Sequence, residues 1–220
     1  MQRPAMVRRM RETRETILKV AGALFARQGY RKTTIRQIIN ESGISSGSIY
    51  NLFTNKDEIF QALVDEIMDR CVVLLDKRFP DESPAFRFAA VGAVEMNTII
   101  INPLIRDIYY EAYTSNYMFE HLVERNIKLQ QQLQTEQPAE NNYIETLLMK
   151  GNFRSFVVSL SFARKTDPVQ CMETLLRNML LFLHCDEPER QRIMEKSRVN
   201  QAAWVEIGRN LLIENDRQRG

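Results

Sequence analysis

The sequence predicts an all-α chain: a small N-terminal head of three helices, joined by a long fourth helix to a larger helical body. Three observations carry that prediction. Apolar residues recur at helical spacing along most of the chain, while strand-like alternation bounded by turn residues is scarce. Only eight glycines and seven prolines occur in 220 residues, and several stand where a periodic segment starts or stops. The charge is divided unevenly. The first 56 residues hold eleven Lys/Arg against three Asp/Glu, a net +8, and the remainder holds nineteen against twenty-five, a net −6. The overall +2 therefore hides a basic head on an acidic body, which points to a polyanionic partner for the head.

The chain is long enough to bury a core without staples. Its 44% hydrophobic and 26% charged residues exclude a disordered or collagenous class. Cys71, Cys171 and Cys185 are odd in number and form no CxxC pair, so no disulfide framework is expected and a reducing cytoplasm fits. Charges interrupt the basic N-terminus before any long apolar stretch, so no signal peptide is expected. Nowhere do eighteen apolar residues run together, so neither a spanning helix nor a membrane partner is expected. No fixed-period repeat is visible.

The first helix is expected over 8–28, with Ile17, Ala21, Leu24 and Phe25 on one face and Gly29 as its left-handed cap. Thr34 with Gln37 forms a capping-box pattern that opens a short helix ending at Ser42, before Gly43. Ser45 or Ser46 caps a third helix reaching Phe53, and Asn55 with Glu58 opens a fourth reaching about residue 79. Beyond it, Ser83-Pro84, Asn102-Pro103 and Asp167-Pro168 each pair a capping side chain with a proline that loses no hydrogen bond at the first helical position. Glu187-Pro188 marks another start. Helices are therefore expected near 84–100, 103–114, 116–135, 140–164, 168–184 and 188–214.

Residues 34–53 have the layout of a helix-turn-helix. Two short helices crossing steeply at a tight turn need a permissive residue in the turn and apolar residues on their inner faces. Gly43 supplies the first; Ile35, Ile38, Ile39, Ile44, Ile49 and Phe53 supply the second. The outward face of the second helix then carries Ser45, Ser46, Gly47, Ser48 and Asn51, small and polar side chains suited to a major groove. Tyr50 and Lys56 suit phosphate contacts, which fix register rather than read bases. Backbone N–H groups near Asn55 would add to a phosphate site.

On these residues the segment 11–63 resembles the tetracycline-repressor (TetR) family of bacterial transcription regulators. The resemblance is carried by Phe25-Ala26-Arg27-Gln28-Gly29-Tyr30, Thr33-Thr34, Ile38, Gly43, Ile44, Ser45, Gly47, Ile49-Tyr50, Phe53 and Lys56. It implies base-edge or near-base roles for Arg36, Ser46, Gly47 and Ser48, and phosphate roles for Thr34, Tyr50 and Lys56. Two positions depart from the family pattern. Ile39 stands where a small Ala is usual, and Leu52 stands where a phosphate-contacting His or another polar residue is common. The domains implied are a DNA-binding head over 1–65 and an effector-binding, dimerising body over 66–220.

Reading a palindromic double-stranded operator needs two heads on a two-fold axis, roughly 34–36 Å apart. The resemblance implies a homodimer in which two late helices of each chain form a four-helix bundle. Phe156 and Leu160 on one helix, with Met172, Leu176, Met179 and Leu183 on the next, are the expected seam. Burial inside one chain, under the helix at 188–214, is the other use of such a stripe. Residues 96–119 concentrate aromatics, and Met96, Ile100, Tyr110, Tyr113, Tyr117 and Phe153 are the expected lining of a pocket for a small, largely apolar effector. Their other reading is ordinary core and surface. An effector favouring a body conformation with misaligned heads weakens DNA binding by the same factor that DNA weakens effector binding. That release scheme is what the resemblance implies; constitutive repression and ligand-assisted binding fit the residues equally.

Other functions find less support. His121 and His184 are the only histidines, and no Gly-rich phosphate loop, nucleophile elbow or HExxH pattern occurs. No catalytic residue, cofactor or metal is expected. His184-Cys185-Asp186-Glu187 includes metal-ligand types, but neighbours at a helix end point in different directions, and a solvated C-terminal cap is expected. The alternative function is a helical protein-interaction or metal-sensing regulator without control by a small organic ligand.

Overall fold

The computed structural model describes residues 3–135, 142–162 and 166–213. Among them every regular element is an α-helix: α1 (Arg3–Gln28), α2 (Ile35–Ser42), α3 (Ser46–Leu52), α4 (Lys56–Arg78), α5 (Pro84–Ile101), α6 (Pro103–Thr114), α7 (Asn116–Leu133), α8 (Asn142–Ser159), α9 (Pro168–Phe182), α10 (Glu187–Val199) and α11 (Gln201–Ile213). The chain divides into two compact units, and the division falls inside α4, between Glu66 and Ile67.

In the first unit, Ile17, Ala21, Leu24 and Phe25 of α1 are fully buried, as their spacing predicts. The Phe25 and Phe60 rings meet edge-on at 5.6 Å, and Tyr30 lies 4.8 Å from Phe60. Gly29 and Gly43 adopt φ of +84° and +68°, the left-handed caps that stop α1 and α2. Arg27 bonds Glu41 at 2.6 Å, tying α1 to α2. α1 starts five residues before its expected beginning, because the basic segment stays helical with Arg8–Glu12 and Arg11–Glu15 pairs one turn apart.

In the second unit α5 is the central helix, packing most closely on α11 and α9 and also on α6, α7 and α10. It is long and apolar enough to cross a membrane by length and composition, but here most of its residues from Phe86 to Ile99 are buried. Two glycines let its neighbours approach. A Cβ on Gly92 would stand 2.8 Å from Met179, and one on Gly208 of α11 would stand 2.3 Å from the Thr98 hydroxyl. Trp204, also fully buried, lies 5.3 Å from Phe79 and donates its indole N–H to the Ser197 carbonyl at 3.0 Å.

The caps at Ser83, Asp167 and Ser45 form as expected, each accepting from a backbone N–H of the helix it opens. The expected helix over 188–214 is two helices. Asn200 breaks it: its side chain and its own N–H both bond the Lys196 carbonyl, at 2.8 and 3.1 Å, and its carbonyl then starts α11. The apolar spacing hides this break, since Ile193, Trp204, Ile207 and Leu211 stay buried at helical intervals across it. α10 is capped by Asp186, one residue before the expected Glu187-Pro188 start. α8 ends at Ser159, short of the expected 164; residues 163–165, like 136–141, lie outside the described ones.

Candidate nucleic-acid interface

α2 and α3 are held open at their N-termini by the side chains the sequence offers. Thr34 accepts from the Gln37 N–H at 3.3 Å while Gln37 accepts from the Thr34 N–H at 2.8 Å, a complete capping box. Ser45 accepts from the Ser48 N–H at 3.3 Å, and the two hydroxyls lie 2.8 Å apart. α3 turns Ile49 inward, and the buried Phe53 ends it. That leaves Ser45, Ser46, Gly47, Ser48, Tyr50 and Asn51 exposed, together with Thr34 and Arg36. A Cβ on Gly47 would meet nothing within 4 Å, so the fold itself has no need of a glycine there. The result is a short helix with a small, polar, open surface, the shape that a major groove admits.

Lys56 behaves differently from its neighbours. Its Nζ donates to the Tyr30 carbonyl at 2.8 Å and the Thr33 carbonyl at 2.9 Å, and lies 4.0 Å from the centre of the Tyr30 ring. These carbonyls follow the end of α1, where the chain has left helical pairing; the Tyr30 carbonyl also accepts from the Thr33 N–H at 3.2 Å, and the ammonium adds a charged donor to each. The side chain thus braces the turn leading to α2. Beside it, Asn55 accepts from the Glu58 N–H at 2.9 Å, while Glu58 reaches back to Thr54 instead of to Asn55. The Thr54 hydroxyl, and then its amide, hold the Glu58 carboxyl below its ordinary range. On α1, Arg8, Arg9 and Arg11 are exposed, and the Arg14 guanidinium lies 5.9 Å from the Phe53 ring centre.

The expected pocket residues of the body differ in burial. Met96, Tyr113 and Phe153 are fully buried, Ile100 and Tyr110 half-buried, and Tyr117 half-exposed. One cavity of about 40 Å³ is lined by residues of α4, α5, α6 and α11, among them Met68, Cys71, Val94, Glu95, Tyr109 and Leu211; Tyr109, Thr98 and Ile105 come from the aromatic-rich segment 96–119, while none of the six expected lining residues borders this cavity. Tyr113 is linked to it indirectly: its hydroxyl donates to Glu95 at 2.7 Å and accepts from Lys150 at 3.1 Å. Lys150 also pairs with Glu95 at 3.3 Å, with both side chains more than nine-tenths buried. One signal was available in the sequence, because Glu95 is the only charged residue in 88–105.

Of the expected seam, Phe156, Met172, Leu176, Met179 and Leu183 are buried within the body, and Leu160 is half-buried. The outward faces of α8 and α9 carry Ile144, Leu148 and Leu181, each about half-exposed. Between them runs a groove lined by Asn152, Ser155, Thr174 and Asn178. His184 takes the left-handed position after α9, with φ of +53°; its N–H bonds the Leu181 carbonyl at 3.0 Å and that of Cys185 bonds the Leu180 carbonyl at 3.1 Å. Its ring faces Glu145 at 3.1 Å. Among the described residues no group of three or more His, Cys, Asp or Glu is placed to hold a metal ion.

The model of the family described as bacterial regulatory proteins, tetR family, matches residues 17–63. The HTH-type transcriptional regulator YfiR of Bacillus subtilis is 30% identical over 81 residues, 36% of this chain and 40% of YfiR. The HTH-type transcriptional repressor KstR2 of Mycobacterium tuberculosis is 41% identical over 56 residues, 26% of this chain and 28% of KstR2. The chain thus spans less than half the length of either relative. Among solved structures, RolR in complex with its ligand resorcinol superposes with a TM-score of 0.59 at 16% identity, covering 86% of this chain and 95% of RolR. Likeness of sequence is strongest in the head, whereas likeness of fold extends through the body. The helix-turn-helix head, over residues 17–63, is thus a domain of the tetR family of bacterial regulatory proteins.

Proposed function

We propose that the chain is a sequence-specific double-stranded DNA-binding transcriptional repressor that acts in the cytoplasm as a homodimer and leaves a palindromic operator when a small, largely apolar effector binds its body. The observation that carries this reading is α3, a capped helix whose one buried side chain is Ile49 and whose exposed surface is small and polar. Its setting in a segment of net +8 supplies the field that draws a polyanion. KstR2, matched over the head, is itself a repressor.

In this reading Ser46, Gly47 and Ser48 approach base edges, with Arg36 close by, while Thr34 and Tyr50 contact phosphates. Asn51 continues the groove-facing surface. The dimer seam is assigned to the outward faces of α8 and α9, where Ile144, Leu148 and Leu181 remain for a second copy to cover. The inner stripe of Met172, Leu176 and Met179 then serves as the core on which those faces stand.

Protection mapping on the DNA flanking the protein's own gene tests the reading. The expected result is a symmetric footprint whose affinity falls steeply with salt, as release of counterions from neutralised phosphates requires. Binding without sequence preference, or no protection on any flanking fragment, overturns it.

A further inference from the structure

We propose that the cavity lined by α4, α5, α6 and α11 receives a small uncharged molecule with an apolar body and one hydroxyl group, an alcohol or a phenol, held between Glu95 and Tyr109. The inference rests on the effector reading above and names the chemistry of that ligand.

The walls are apolar: Ile67, Met68, Val91, Val94, Ile105 and Leu211. Four polar side chains reach the cavity, Cys71, Glu95, Thr98 and Tyr109. Two of these offer little. Thr98 spends its hydroxyl proton on the Val94 carbonyl at 2.7 Å, and Cys71 is a weak donor whose thiol, pushed up to about 12 by burial and then by Glu95, stays neutral.

Glu95 and Tyr109 are the useful handles. The Glu95 carboxylate accepts one bond on each oxygen, from Tyr113 at 2.7 Å and Lys150 at 3.3 Å, which leaves further lone pairs for a donor. Tyr109 has no hydrogen-bond partner among the described residues; its ring stacks on Tyr113 at 6.2 Å. Burial, and then the Glu95 charge, raise its hydroxyl well above the ordinary range, so it remains a neutral donor.

Charge and hydrogen bonding then select the ligand. Lys150 already balances Glu95 inside the body, so a charged ligand would enter without a counterion, at a large desolvation cost. An anion would also meet the carboxylate that raises Cys71, Tyr109 and Tyr113. A carbonyl compound satisfies Tyr109 but gives Glu95 nothing. A hydroxyl does both, donating to Glu95 and accepting from Tyr109.

Size narrows the class further. About 40 Å³ accommodates a short alcohol; a single aromatic ring fills about 150 Å³ in a dry apolar cavity. Met68 is the adaptable wall whose unbranched side chain makes room for the larger guest.

Calorimetric titration of the full chain with 1-butanol, phenol, toluene and benzoate tests the proposal. One saturable site per chain is expected for butanol, phenol or both, which separates the aliphatic from the aromatic source. Phenol is expected to bind about tenfold more tightly than toluene, the ring without the hydroxyl, and benzoate not at all. Tyr109→Phe weakens hydroxyl binding about fivefold. Val94→Phe fills the cavity and abolishes it, with folding of both variants checked by thermal midpoint. Equal affinity for toluene and phenol, wild-type binding by both variants, or no saturable binding of either hydroxyl probe overturns the proposal. Operator binding by the unliganded chain is measured in parallel. Operator binding without probe binding sinks the ligand inference alone; the converse sinks the DNA reading alone.

Discussion

The Lys56 ammonium stands 4.0 Å from the centre of the Tyr30 ring and donates to the Tyr30 carbonyl, so the first residue of α4 closes the turn that follows α1. This makes it a strut of the head. Lys56→Ala removes two charged hydrogen bonds and a cation–π contact, and should destabilise the head by about 2–3 kcal/mol. Operator binding should weaken through loosening of α2, while the slope of log K against log salt stays unchanged. A slope smaller by about 1 would assign the ammonium to a phosphate instead. Urea unfolding and salt-dependent titration separate the two outcomes.

Gly47→Ala isolates the reading surface from the fold. The added methyl meets no protein atom within 4 Å, and alanine favours the helix, so stability should hold or rise by up to about 1 kcal/mol. Operator affinity should nevertheless fall about tenfold, since the methyl projects where a groove would lie. Ser48→Ala should change the preferred operator sequence, read by selection from randomised DNA. Unchanged affinity and preference in both variants remove α3 from the interface.

Leu148→Glu tests the assigned dimer face. The residue is about half-exposed, so the monomer should fold with its thermal midpoint little changed, while sedimentation shows the dimer lost at micromolar concentration. Operator binding should fall with it. A dimer that survives both Leu148→Glu and Leu181→Glu places the seam elsewhere.

Gly208→Ala tests the approach of α11 to α5. Its Cβ would stand 2.3 Å from the Thr98 hydroxyl, which is held in place by its bond to the Val94 carbonyl. A loss of about 1–3 kcal/mol is expected. Adding Thr98→Ala removes the opposing oxygen and should recover at least half of that loss in a double-mutant cycle. No recovery would mean that backbone contact sets the limit.

Alkaline pH should weaken the body. Burial, and then the Glu95 charge, push the Cys71 thiol from 9.0 to about 12. The folded chain therefore keeps a proton that the unfolded chain releases, and stability declines as pH rises from about 9 to about 12. Tyr109 and Tyr113, raised by the same burial and the same carboxylate, act in the same direction. Cys71→Ala should flatten the decline measured by denaturant titration. Iodoacetamide near about pH 8.5 should label half-exposed Cys171 before Cys71, read by mass spectrometry.

The local features of this chain were legible because they depend on residues within a turn of one another. The Thr34–Gln37 box, the Ser45 cap, the glycines at 29 and 43 and the prolines after Ser83 and Asp167 each form as the residue types require. Asn200 was missed because a side chain that competes for a carbonyl leaves no mark on apolar periodicity. The aromatic-rich segment 96–119 contributes Thr98, Ile105 and Tyr109 to the lining of a cavity, and composition alone does not say which of its side chains face it.

By itself, then, the sequence determined the helical class, the helix-turn-helix with its open polar surface, and the basic charge of the head. Tertiary structure decided what each buried stripe is buried against. It turned Met172, Leu176 and Met179 into the chain's own core and left Ile144, Leu148 and Leu181 outside. It also drew Lys56 to a carbonyl 26 residues away and Lys150 to a carboxylate 55 residues away. The reason is physical: periodicity states that a face must leave water, which is a property of one helix, whereas the choice of partner depends on distances between helices that no local pattern encodes.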